Sequence, residues 1–236
     1  MKTSSETVTM MMTIDRKYFF ILLVFLVCAG KGSLYGQQKD FQTWYELKLN
    51  KDLKSGIDLS LEAGQRLENN SMQYDRSLLT LQADYDVTGW LNAELGVRGL
   101  LRMNNERRLE PRYRVHADAT FEQPAGEFDL SYRSRLQYGF EEFSDAGDSK
   151  LVNRNRLEAE YHIFGTRIDV SAYVESYHLL SGSPLRRFFR MRYSARARYM
   201  LGFRSELSLR YILEDEFNVS DPLQSHILVV GFSYDL

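Results

Sequence analysis

Past Asp40 the sequence alternates apolar and polar residues in segment after segment, and no other feature restricts the fold so tightly. Successive side chains of a strand point to opposite faces, so strict alternation marks strands with one apolar and one polar face. Eleven such segments can be drawn, at 41–50, 57–67, 76–87, 90–103, 112–122, 127–140, 151–163, 166–178, 187–201, 203–214 and 225–236. Each runs roughly ten to fourteen residues, the length a tilted strand needs to cross a bilayer. In the third, Leu79, Leu81, Ala83, Tyr85 and Val87 oppose Thr80, Gln82, Asp84 and Asp86. In the ninth, Phe189, Met191, Tyr193, Ala195 and Ala197 oppose Arg190, Arg192, Ser194, Arg196 and Arg198.

Four arginines on one face of one strand do not belong against hydrocarbon, so the polar faces must meet water or each other. A soluble barrel or sandwich would read the same alternation inside out, with the apolar face buried. Three features favour a membrane barrel instead. The polar faces are crowded with arginine and carboxylate, aromatics gather at segment ends, and the chain finishes flush on its last strand. The mean hydropathy of −0.39 is no objection, because such a barrel carries its lipid-facing residues at every second position. The expected fold is all-β, a transmembrane antiparallel up-and-down barrel of 10–12 strands. Single-chain bacterial barrels have even strand numbers, which favours ten or twelve. Segment 41–50 is then surplus: it runs through the lumen, pairs at the seam, or implies a further strand. Short connections at Val87–Trp90, Gln123–Gly126, Phe164–Gly165 and Gly202 alternate with longer ones at Glu68–Asp75, Asn104–Pro111, Glu141–Lys150, Leu180–Arg186 and Asp215–Gln224. That is the asymmetry of periplasmic turns and outer loops.

Both termini carry an address. Arg16 and Lys17 precede an apolar run from Tyr18 to Ala29, followed by Gly30, Gly32 and Ser33: a secretory signal peptide over 1–36, with the barrel domain at 37–236. Cys28, the only cysteine, lies inside that signal with Val27 before it, which argues against lipidation. At the other end HILVVGFSYDL alternates to its last residue. Leu228, Val230, Phe232, Tyr234 and Leu236 share one face, and Ile227, Val229, Gly231, Ser233 and Asp235 the other. Such a strand is the expected handle for the barrel-assembly machinery, and the expected location is the outer membrane of a Gram-negative bacterium.

The stretch Asp40-Phe41-Gln42-Thr43-Trp44, the following LKLNKDLKSGIDLSLEAGQR and the closing HILVVGFSYDL resemble an uncharacterised family of outer-membrane barrels common in Bacteroidota, the domain of unknown function 2490. The resemblance spans nearly the whole of 37–236. It implies a membrane β-barrel and brings no activity or functional residues with it.

The polar faces supply the candidate site. Arg66, Arg76, Arg98, Arg102, Arg112, Arg114, Arg133, Arg135, Arg154, Arg156, Arg190 and Arg192 fall toward the outer ends of their segments. Asp84, Asp86, Glu94, Asp118, Glu122, Asp129, Glu158, Glu160 and Asp169 fall toward the periplasm, while Glu175 and Arg204 break the pattern. An arginine-rich mouth would favour a small anionic solute in a narrow porin-like channel or solute-binding barrel. The alternative is a plugged, salt-bridged interior in a structural or surface-interaction barrel, with Arg154 opposite Glu175 and Arg133 opposite Glu158. A barrel of about eight strands is just filled by its side chains, and one of ten is only slightly wider. Tyr85, Trp90, Phe121, Phe128, Tyr161, Phe164, Tyr199, Phe203 and Tyr234 would form a periplasmic aromatic girdle, and Tyr113, Tyr138, Phe140, Phe189 and Tyr211 an outer one.

Catalysis finds little footing. A lipid-modifying barrel enzyme would place His-x-Ser on one strand face, and none of His116, His162, His178 and His226 has that spacing. Asp118 follows His116 by two, a pairing that a luminal ion pair explains. No cofactor is expected, and no metal: Glu214-Asp215-Glu216 with Asp221 lacks the glycine and spacing of a calcium loop. Gly96, Gly99, Gly139 and Gly231 read as close packing or kinks in the wall. Arg107-Arg108 and Arg186-Arg187 at loop edges could meet the phosphates of lipopolysaccharide, and outer-membrane lipid is the expected surrounding. The net charge of −2 gives no electrostatic case for nucleic acid.

Overall fold

The computed structural model describes residues 38–53, 56–104, 106–140, 149–181 and 188–236. The signal-peptide segment and the Arg186-Arg187 pair lie outside the described residues. Eleven strands follow one another: β1 (Gln38–Asp52), β2 (Ile57–Glu68), β3 (Gln73–Thr88), β4 (Leu91–Met103), β5 (Leu109–Ala125), β6 (Phe128–Phe140), β7 (Ser149–His162), β8 (Ile168–Leu179), β9 (Phe188–Met200), β10 (Ser205–Glu216) and β11 (Leu223–Asp235). Each pairs antiparallel with its chain neighbour, and β1 closes the barrel by pairing parallel with β11.

The described residues form eleven strands, within the expected 10–12, and the preference for an even number is corrected. With an odd count the first and last strands run the same way, so segment 41–50 is the seam strand and its ladder is parallel, from Gln38 opposite Leu223 to Asn50 opposite Asp235. A parallel ladder is slightly weaker per residue. The inner face of this seam is lined by an apolar cluster, Trp44 with Ile212, Ile227 and Val229, all almost fully buried.

Alternation does what the sequence implies. Leu79, Leu81, Leu95, Val97, Val115 and Leu209 face outward and are about half exposed or more, while Thr80, Arg154, Glu175 and Arg190 face inward and are buried. The ladders fall out of step at Arg66/Leu67, where Asp75 and Arg76 are both buried, at Asp86/Thr88 and at Tyr177/His178. At Tyr177/His178 the β8–β9 register shifts by a bulge, so that Phe189 and Arg190 both turn inward. Phe189, expected in the outer girdle, is instead fully buried against Val152, Tyr177 and Leu179.

The outer connections are tighter than the sequence suggests. Strands extend into them, so Asn69–Met72 alone joins β2 to β3. Asn69, Asn70 and Ser71 there take φ of 54°, 55° and 61°, and Asp40 of β1 accepts hydrogen bonds from the Asn69 and Asn70 amides at 3.3 and 2.9 Å. Left-handed backbone at three successive non-glycine residues is costly, and the Asp40 carboxylate holds it in place. Gly139 is a second such point. Its φ is 152°, and a Cβ there would lie 2.5 Å from the Tyr113 carbonyl oxygen. At Gly99, by contrast, nothing lies within 4 Å, so the close-packing reading does not apply to that residue.

Candidate functional site

The arginines do not crown the outer mouth. Most of them sit near the middle of their strands, with Arg98 eighth of thirteen in β4, Arg133 sixth of thirteen in β6 and Arg154 sixth of fourteen in β7. The consequence is convergence at the waist. Arg66, Arg98, Arg114, Arg133, Arg135, Arg154, Arg156, Arg190, Arg192 and Arg210 line a single cavity of 230 Å³. Lys48 and the carboxylates Glu46, Glu62 and Glu94 share its wall, with Trp44, Tyr173 and Tyr177 as aromatic surfaces. Arg76 and Arg102 stay at an outer chamber of 370 Å³, whose wall is mixed: Glu68, Asp75, Glu214, Glu216 and Asp221 face Arg66, Arg76 and Arg102. Arg112 sits at the rim, paired to Glu110 at 2.6 Å.

Behind the cavity wall runs a carboxylate scaffold. Glu175, wholly buried, accepts from Arg154 at 2.8 Å and Arg133 at 2.9 Å, lies 3.3 Å from Arg156, and takes the Tyr177 hydroxyl at 3.0 Å. Asp118 is held by Arg135, whose Nε and Nη2 both donate to it, at 2.7 and 2.5 Å. Glu94 takes Arg135 and His116, each at 2.8 Å. Glu62 takes Arg98 at 3.1 Å, and Glu46 takes Arg210 at 2.5 Å. Glu214 pairs with Arg192 and lies 3.5 Å from Arg190, which also donates to Glu216 at 2.7 Å. Glu158 serves Arg196 at 3.1 Å and lies 3.7 Å from Arg156. Every one of these is an inter-strand link or a same-face neighbour two residues on, so the network fixes the wall as well as charging it.

The register differs from the one expected. Glu175 stands opposite Arg156 and Arg192, not Arg154, and Arg133 stands opposite Arg156, not Glu158. The long guanidinium arms still reach: Arg154 and Arg133 meet at Glu175 along diagonals. Glu214 and Glu216, expected in a solvated loop, belong to β10 and point inward, with Asp215 between them bonded to Gln224.

Among the described residues, four chambers can be followed along β1, and each shares wall residues with the next. The outer chamber meets the waist at Trp44 and Arg66, and the waist meets an inner chamber of 460 Å³ at Glu46, Lys48, Glu62 and Arg210. The inner chamber meets a mouth of 630 Å³ at Lys48, Asn50 and Asp235. That mouth carries Asp52, Asp58, Asp84, Glu122 and Asp235. The lumen is therefore acidic at the short-turn end, basic at the waist and mixed outside. Between waist and outer chamber the Arg66 guanidinium lies 3.7 Å from the Trp44 ring, with Arg192 at 5.5 Å on the same indole. This stacked pair is the junction of the two chambers.

Glu94, His116 and Asp118 offer three ligand atoms within 4.8 Å of one another. The Arg135 guanidinium bonds both carboxylates, so a cation already stands among them. His116 packs over Gly96, where a Cβ would fall 2.2 Å from its ring.

The aromatic residues near the short turns face outward in groups. Trp90 stacks on Phe121 at 5.9 Å, Phe121 on Tyr132 at 6.3 Å, and Phe128 meets Tyr161 at 5.2 Å. Tyr85, Phe164, Tyr199 and Phe203 are exposed, and Tyr234 is half-buried beside them on β11. Sequence reasoning missed the inward apolar side chains Trp44, Val152, Tyr173, Tyr177 and Ile212, and it missed Arg210. Each shares its parity with an inward charged residue of its own strand, Trp44 with Glu46, Val152 with Arg154, Tyr173 and Tyr177 with Glu175, and Ile212 with Arg210, and that parity was the available signal.

An up-and-down closed barrel with an apolar outer wall, a charged lumen and aromatic groups at strand ends is a porin-like barrel of the outer-membrane type. Residues 41–222 match the family described as a protein of unknown function, DUF2490, and the chain belongs to that family. The fold is similar to a solved structure described as the NanC porin in a rhombohedral crystal form, with a TM-score of 0.53 and 13% identity, covering 84% of this chain and 99% of that one. No curated protein matches the sequence.

Proposed function

We propose that this chain is a narrow channel or solute-binding barrel of the Gram-negative outer membrane, delivered by a cleaved signal peptide, whose lumen favours small anions. The observation that carries the reading is the waist, where ten arginines and one lysine face a 230 Å³ cavity against three glutamates on the same wall. An excess of one sign of charge along a low-dielectric tube raises the local concentration of the opposite ion and sets selectivity. The scaffold behind it, Glu175 above all, keeps these guanidiniums extended into the lumen rather than collapsed on one another.

The same scaffold supports a second reading, a non-conducting barrel stapled by its own ion pairs, since most of the waist arginines touch a carboxylate. Planar-bilayer recording of the refolded protein under a salt gradient separates the two. Stable conductance steps with a reversal potential on the anion side are expected. A silent bilayer from protein whose folding is verified by heat-modifiable gel mobility would overturn the channel and leave the stapled barrel.

A further inference from the structure

At mid-depth the outer wall has a polar sector on β6 and β7. Ser134, Asn153 and Asn155 face outward on β6 and β7, since their strand neighbours Arg133, Arg135, Arg154 and Arg156 line the lumen. Asn155 is the seventh of the fourteen residues of β7 and stands opposite Ser134, the seventh of the thirteen of β6. They sit at mid-depth of an apolar band about 25 Å tall. At comparable positions β3, β4 and β5 present Leu81, Val97 and Val115. The polar groups form a ladder: the Tyr132 hydroxyl donates to Asn155 Oδ1 at 2.8 Å, Asn155 Nδ2 donates to Asn153 Oδ1 at 2.6 Å, and Asn153 Nδ2 donates to Ser134 Oγ at 3.2 Å. Ser176 and His178 continue it on β8, bonded at 3.0 Å.

An amide nitrogen carries two hydrogens, and the second N–H of Asn155 has no partner among the described residues. Hydrocarbon offers it none, so a polar group at this depth needs another protein surface. We propose that the β6–β8 sector is where two copies of this chain associate side by side in the membrane, through Asn153 and Asn155. A second copy inserted in the same direction and related by a two-fold axis along the membrane normal brings the same amides to the same depth. An amide is donor and acceptor at once, so the patch complements itself. Lipid headgroups lie at another depth, and acyl chains carry no acceptor. The inference rests on the membrane-embedded reading above.

The test is single-molecule photobleaching of labelled, refolded protein in liposomes over a range of protein-to-lipid ratios. Two copies per assembly are expected, with Asn153→Leu plus Asn155→Leu raising the dissociation constant by about tenfold. Both substitutions place an apolar residue against lipid, so heat-modifiable mobility should be retained. In the refolded protein without residues 1–36, which has no cysteine of its own, Asn155→Cys should cross-link to a dimer with a short bismaleimide, whereas Val97→Cys should not. Monomers at every ratio, or a dimer indifferent to the double substitution, would overturn the pairing while leaving the channel intact. Protein that folds yet fails to float with liposomes would overturn the membrane reading and this proposal with it.

Discussion

Replacing Glu175 by Gln separates what the waist does for stability from what it does for ions. The carboxylate is wholly buried and takes Arg154, Arg133 and the Tyr177 hydroxyl at 2.8, 2.9 and 3.0 Å, with Arg156 at 3.3 Å. Glutamine keeps the shape but offers one acceptor oxygen instead of two, and no charge. Two charge-assisted bonds are lost, each about 1.5–3 kcal/mol, and three guanidiniums remain without their common counter-charge. Removing one partner of a buried ionic group costs about 3–5 kcal/mol, and with no solvent exposure there is no screening to discount. The expected loss in urea unfolding from lipid vesicles is therefore about 3–5 kcal/mol, read as a fall in midpoint at unchanged slope. Glu110→Gln at the rim, where the pair with Arg112 is exposed and screened, should leave the unfolding midpoint almost unmoved. Because the substitution removes one negative charge beside the waist, anion-over-cation permeability should rise in the same protein. Unchanged stability would refute the role of Glu175 as the tie. Lost stability with unchanged selectivity would mean that ions do not pass the waist.

Three further outcomes follow from the geometry. Arg190→Ala with Arg192→Ala removes two waist cations and should lower anion preference in reversal-potential measurements, with an accompanying stability loss because Glu214 is left behind. Val97→Arg, on the outward face at the middle of β4, should cost about 2–4 kcal/mol in lipid vesicles, and a neutral result would contradict a lipid-facing wall. Gly96→Ala sets a methyl 2.2 Å from the His116 ring and should destabilise by about 1–3 kcal/mol, relieved in the double variant with His116→Ala.

Faces were legible in the sequence, heights and register were not. A period of two assigns Arg154 and Arg156 inward and Leu157 outward without any structure, because one step along a strand reverses the side chain. It says nothing of which strands face one another across the lumen, where Arg66 on β2 and Arg210 on β10 line the cavity that Arg133 on β6 also lines. Nor does it detect a bulge, so Phe189 was assigned to lipid when the β8–β9 shift turns it inward. The seam was undecided for a similar reason: FQTWYELKLN alternates like its neighbours, and only pairing distinguishes a seam strand from a surplus one. Asn153 and Asn155 were hidden in plain alternation, since a polar residue at an outward position of a polar-rich strand stands out only once the lipid face is known.

The parallel seam also dictates an order of events in folding. Ten of the eleven strand pairings join chain neighbours through a connection and can form by extending a hairpin. The eleventh joins Asn50 to Asp235, 185 residues apart, and no connection guides it. Bringing ends so distant together in a free chain costs about 4–5 kcal/mol of loop-closure entropy, far more than any hairpin requires. Closure is therefore the last step: the ten hairpin pairings first roll the sheet until β1 and β11 are already near each other. Ile212, Ile227 and Val229 already meet across the β10–β11 hairpin, and Trp44 joins them only when the cylinder is complete, which makes its contact a latch rather than a nucleus. Substitutions there should speed opening and leave the early rate of sheet formation untouched.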